Sequence, residues 1–155
     1  MHNKVLRPIL KDCAQKRGYK IIRMTVWKAG ESFGRAINLQ GSQWGPSTYI
    51  NIGIFFLTPG LKGPPRVWDY HERAERIDGP FSEVITNLAN PHPRELTTDE
   101  VRDAFSWLLD WADETYSRDD YIRAILQDPQ SSMSRHHPFT SDRLRAWAVQ
   151  SKGNS

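Results

Sequence analysis

Cysteine is almost absent. Cys13 stands alone in a chain of 155 residues, so no disulfide can form within it and a disulfide-stapled secreted scaffold is excluded. Long apolar runs are absent too. None approaches the ~20 residues that span a bilayer, and no membrane association is expected. The opening MHNKVLRPILKD has neither the apolar core nor the small-residue cleavage site of a signal peptide, which makes cytoplasmic residence the default expectation.

Motifs that carry chemistry are missing as well. There is no P-loop, no Gly-x-Gly-x-x-Gly behind a strand and no Gly-x-Ser-x-Gly elbow. His71-Glu72-Arg73-Ala74-Glu75 starts like a zinc-protease helix but has Glu75 where the second His must stand. His136 and His137 are adjacent, diverge on regular structure and have no Cys nearby. Asp69, Glu72 and Glu75 could pair as general acid and base, yet three acids in a partly helical segment are expected to face water. No catalytic residue, no metal ligand and no cofactor is assigned.

What is present fits one globular domain with a sizeable core, with 38% hydrophobic and 25% charged residues. The net charge of +3 hides an asymmetry. Up to Arg35 there are nine Lys/Arg against two acids, and from Thr97 to Asp128 nine acids against three Arg. Either a basic surface meets an acidic partner, or the two regions lie on different faces and are merely solvated. The second is the simpler expectation, because exposed charges couple weakly.

The stretch that organises the chain is Phe33 to Leu57. Ile50, Ile52, Ile54 and Phe56 alternate with Tyr49, Asn51, Gly53 and Phe55, and Arg35, Ile37 and Leu39 with Ala36, Asn38 and Gln40. Period-two alternation with many β-branched residues predicts strands. Trp44-Gly45-Pro46-Ser47 has turn composition, so the whole reads as an antiparallel hairpin.

Around it, Asn3 to Arg17 reads as a helix. Val5, Leu6, Ile9, Leu10 and Cys13 share one side, Pro8 falls near the first turn, and Gly18 is the stop. Cys13, on that apolar stripe, is read as a small buried hydrophobe. Tyr19 to Lys28 reads as one strand, Arg66 to Tyr70 as another, and His71 to Ile77 as one or two helical turns. Phe81 to Asn90 is ambiguous. Thr97-Thr98-Asp99-Glu100 matches a capping box and opens a helix with Val101, Ala104, Phe105, Leu108, Leu109, Ala112 and Tyr116 on one stripe, leaving Trp107 off it. Ser117-Arg118-Asp119-Asp120 opens a shorter helix, 130–139 reads as a polar loop, Thr140 or Ser141 caps a last helix, and 151–155 should fray. The fold class is therefore α+β: an antiparallel meander of about four strands, with an N-terminal helix and C-terminal helices packed on one face.

Asn38-Leu39-Gln40, Ser42, Trp44-Gly45 and Asn51-Ile52-Gly53, preceded by Gly18-Tyr19-Lys20 and followed by His71-Glu72-Arg73, resemble the bacterial family known as domain of unknown function 4304. The likeness covers the first 80 residues or so well and the helical remainder loosely. It implies a fold and carries no activity.

The candidate binding surface is the polar sheet face: Asn38, Gln40, Tyr49 and Asn51, with Trp44 at the turn and His71 and Arg73 after the hairpin. Carboxamides offer donors and acceptors together and can read a peptide, a base or a sugar. Equally, buried amides can serve only to satisfy loop backbone, and Trp44 can be a core plug or an interface anchor. The leading expectation is a non-enzymatic interaction protein with a protein partner, such as a toxin-neutralising immunity-type protein or an adaptor. Trp44 and Trp107 would then face outward. The alternatives are nucleic-acid binding by the basic N-terminal region and sheet face, and a small-ligand binder or enzyme at the amide face. The oligomeric state stays open.

Overall fold

The computed structural model describes residues 3–66, 68–127 and 142–150. The loop expected at 130–139 with His136 and His137, the cap expected at Thr140 or Ser141 and the fraying expected at 151–155 lie outside the described residues. The order is α1 (Asn3–Gln15), β1 (Lys20–Ile22), β2 (Thr25–Ala29), β3 (Phe33–Gly41), β4 (Thr48–Phe56), β5 (Tyr70–Arg73), a 3-10 turn (Ala74–Arg76), α2 (Ser82–Ala89), α3 (Thr98–Tyr116), α4 (Asp119–Gln127) and α5 (Asp142–Gln150). The five strands form one antiparallel meander in sequence order.

The hairpin holds its alternation over nine paired positions, from Phe33 opposite Phe56 to Gly41 opposite Thr48. Cross-strand partners share a face. Val26, Ile37, Leu39, Ile50, Ile52 and Ile54 therefore point together under the helices and are at most 3% exposed. Leu6, Leu10, Phe105, Leu108 and Leu109 roof them. Burial of this kind contributes roughly 1.5–3 kcal/mol per large side chain.

Two strands differ from the reading by length and place. Tyr19 to Lys28 is broken into β1 and β2 by a two-residue turn at Arg23 and Met24, with Arg23 at a positive φ of 53°. Tight hairpins need that left-handed geometry, usually from Gly or Asn, so Arg there gives no turn signal. Its carbonyl is held by Arg7 Nε at 2.6 Å. The last strand is Tyr70–Arg73, not Arg66 to Tyr70, and only Ala74–Arg76 is helical after it. Glu72 faces the roofed side opposite Ile52, which disguises the strand as a polar segment.

Helix ends follow the sequence. Gly18 takes φ 78°, while Tyr19 N donates to Ala14 O at 3.0 Å and Gly18 N to Gln15 O at 3.2 Å, the two bonds of a Schellman stop. At Thr97 both arms of the capping box form, at 3.1 and 2.8 Å. Leu96 and Val101, at the positions of a hydrophobic staple, are both buried. Pro8 lies inside α1, past its first turn, where it forgoes a backbone bond. Val5, expected on the stripe, is 48% exposed.

The charged regions of the chain do not simply lie on separate faces: they meet at three basic residues, Arg17, Lys28 and Arg35. Arg17 binds Asp110 through two bonds of 2.7 and 3.2 Å, Arg35 and Tyr19 converge on Asp113 Oδ1 at 2.6 and 2.8 Å, and Ser32 Oγ donates to Asp119 at 2.6 Å. Part of the asymmetry is thus an internal seam that ties the end of α1 and the sheet to α3.

Candidate binding groove on the amide face

The second sheet face is built from the residues that alternate with the core. It is divided in two. At one end Trp27, Ala36 and Phe55 make a small second core, closed over by Leu57, Leu61 and Trp68. The Gly/Pro-rich segment after β4 therefore covers part of a face expected to be bare. At the other end the face stays polar.

There the register draws a line across four strands: Thr25 opposite Asn38, Asn38 opposite Asn51, Asn51 opposite Arg73. Asn38 Nδ2 donates to Thr25 Oγ1 at 2.9 Å. Asn51 Nδ2 donates to Asn38 Oδ1 at 3.2 Å and to Gln40 Oε1 at 3.1 Å. Arg73 donates to the same Gln40 oxygen at 3.2 Å, and its guanidinium lies over the Tyr49 ring, 4.4 Å from the centroid. The amides thus bind one another and the side chains of Thr25 and Arg73 rather than loop backbone; among the described residues the one main-chain contact is a long 3.5 Å bond from Asn38 to Met24 O. Among these bonds neither Asn51 Oδ1 nor Gln40 Nε2 is used.

Over this row runs an open groove of about 1010 Å³. Asn38, Gln40, Asn51, His71 and Arg73 line it. Arg23 from the β1–β2 turn, Arg66 from the covering loop and Arg76 from the 3-10 turn add three more guanidinium groups. Ile22, Met24, Pro64, Pro65 and Trp68 supply apolar wall. Burial, and then the charge of Arg73, hold the His71 imidazole below its ordinary value of 6.5, so it is neutral at physiological pH. The positive potential of the groove comes from arginine.

Of the remaining sequence candidates, Glu72 also lines the groove, a carboxyl among its arginines; the others lie elsewhere. Tyr49 supports Arg73 from below. Trp44 is 90% exposed at the tip of the β3–β4 turn, outside the groove; it is not a core plug. Trp107 is not outward: it packs on Phe81 at 6.3 Å and fills the space where a Cβ on Gly79 would stand. The carboxylates of Asp69, Glu72 and Glu75 do not all face water. Asp69 is buried and accepts from Phe56 N at 2.7 Å, and Glu72 is 3% exposed on the roofed face. Burial pushes the Glu72 carboxyl above its ordinary 4.5, partly offset by the neighbouring Tyr70 and by the charge of Arg76.

Arg66 and Arg76 were not among the candidates, and Arg23 entered only with the basic N-terminal region of the nucleic-acid alternative. Their only sequence signal is positive charge in loops that the topology brings to one end of the sheet. No protein-family model matches the chain, and no curated protein or solved structure matches it.

Proposed function

We propose that this chain is a binding protein that takes an anionic ligand in the groove on its amide face and acts by association, not by covalent chemistry. One observation carries the reading: four arginines and a self-bonded row of carboxamides share one open groove. Arginine forks suit phosphate and carboxylate, and a rigid amide row orients whatever they attract. A thermal-shift series with polyphosphate, poly-glutamate and an oligonucleotide, with a polycation as control, tests it. A ligand at a hundred times its Kd adds about 2.7 kcal/mol, which raises Tm by roughly 5–10 °C in a chain of this size. No shift with any polyanion would overturn it.

A second reading, an immunity-type or adaptor protein, is favoured by Trp44, an exposed indole on a projecting turn of the kind that anchors protein interfaces. The two readings use different surfaces, so substitutions separate them.

A further inference from the structure

The groove is more than a cluster of positive charge. We infer that its ligand is single-stranded nucleic acid, with phosphates along the arginines and bases laid over the amide row. The inference rests on the reading of the groove as an anion-binding site and names the class of anion.

The first argument is Arg73. One face of its guanidinium lies on Tyr49 and one edge is tied to Gln40 Oε1. The guanidinium is therefore held in place before any ligand arrives, and Arg73 lines the groove. A flat cation held this way stacks a base. A carboxylate would call for the N–H edge instead, and part of that edge is already engaged by Gln40.

The second argument is the mixture of surfaces. Arg23, Arg66, Arg73 and Arg76, with the single carboxyl of Glu72, line the same groove as Trp68, Pro64 and Pro65. An oligonucleotide presents this pairing of repeated charge and aromatic planes. An acidic peptide has charge without the planes, and inorganic polyphosphate has no bases. The third argument is that the bonds within the row use Asn51 Nδ2 and Gln40 Oε1, so Asn51 Oδ1 and Gln40 Nε2 take no part in them. An acceptor and a donor on this row suit the edge of an unpaired base, which a duplex hides. The groove is also open and, at about 1010 Å³, at the upper limit of small-molecule sites, which favours a chain over a small ligand.

Fluorescence anisotropy with a labelled single-stranded 12-mer, as DNA and as RNA, tests the inference on the full chain. Three phosphate contacts, from Arg23, Arg66 and Arg76, give a slope of about −2.1 in log K against log salt, so affinity falls about 18-fold between 50 and 200 mM salt. The double variant Arg66→Ala/Arg76→Ala, at two exposed positions, should cut that slope to about −0.7. Tyr49→Ala, which removes the support under Arg73, should weaken binding on the order of tenfold with little change in slope. Circular dichroism melting of each variant shows that it folds. If poly-glutamate or polyphosphate competes as well as the oligonucleotide, or a duplex binds equally well, the nucleic-acid assignment is wrong and the anion groove survives. If no polyanion binds, both fall. An oligonucleotide that binds with the same salt slope to the wild type and to the double variant puts the site elsewhere and overturns the inference.

Discussion

Arg35 Nε lies 2.6 Å from Asp113 Oδ1, joining the middle of the sheet to the acidic face of α3. The Arg35 side chain is 7% exposed and that of Asp113 26%. Lys28 adds a second cation 3.6 Å from the other carboxylate oxygen, and the Tyr19 hydroxyl donates to the first. One carboxylate therefore gathers three partners from the N-terminal third of the chain.

Removing Asp113 should accordingly cost more than a surface ion pair. Asp113→Ala strands the Arg35 charge against the core. Breaking a buried pair costs about 3–5 kcal/mol, and partial exposure of Asp113 places the expected loss near the lower end, about 3 kcal/mol. Urea unfolding should show that loss. The double variant Arg35→Met/Asp113→Leu should recover most of it, because burying no charge is cheaper than burying a lone one. A single variant within about 0.5 kcal/mol of wild type, the range of ordinary surface changes, would mean that solvent reaches Arg35.

Glu72 sets a pH dependence of the opposite sign to the usual carboxylate. Its folded pKa is raised above the ordinary 4.5 by burial. Below the unfolded value both states hold the proton and nothing is lost. As pH rises from there toward the folded pKa, only the unfolded chain ionises, so stability falls across that window and then levels. Glu72→Gln keeps the size of the side chain and cannot ionise. The variant should be more stable than wild type at pH 7, with the gap closing near pH 4. Chemical unfolding across that pH range measures it, and a gap that widens toward acid would reverse the assignment.

How much of this could be read from the chain depended on the length of each pattern. From Arg35 to Leu39 and from Tyr49 to Phe56 the alternation runs long enough to settle faces, so Asn38, Gln40 and Asn51 fall together once the strands pair. His71 and Arg73 join them because β5 is short and its odd positions share that face, although the segment reads as helical. Nothing local marks Arg23 as a turn residue, since a left-handed Arg is tolerated only where the surrounding hairpin imposes it. Nor does sequence say that the segment after β4 folds back on Trp27 and Phe55. That closure, a tertiary choice among Pro and Gly conformers, brings Arg66 and Trp68 to the groove. The ion pairs with α3 were hidden for the same reason: composition counted the charges but gave no packing.

Gly53 is required by close approach. It pairs with His71 across β4 and β5, and a Cβ there would stand 2.1 Å from Tyr70 O and 2.9 Å from His71 Cα. Backbone cannot yield as a side-chain tip can. Gly53→Ala should therefore separate β5 from the sheet and destabilise by about 3 kcal/mol, the upper end of ordinary overpacking. Because β5 carries His71 and Arg73, oligonucleotide affinity should fall in the same variant even where it remains folded. Gly45→Ala is the control, since a Cβ there meets nothing within 4 Å. Melting and anisotropy on both variants check the pair of outcomes.

Trp44 separates the two readings of function. Its indole is 90% exposed and lines no part of the groove, so the fold gains little from it. Trp44→Ala should leave the unfolding midpoint within about 0.5 kcal/mol of wild type and leave oligonucleotide affinity unchanged. Conservation of both, together with loss of a captured protein, would assign the turn to a separate protein interface, where an anchoring Trp is worth about 2 kcal/mol or more. A fall in oligonucleotide affinity would instead show that the bound strand reaches past the amide row to the hairpin tip. It would extend the groove along β3 and β4 and leave the protein-partner reading without its main support.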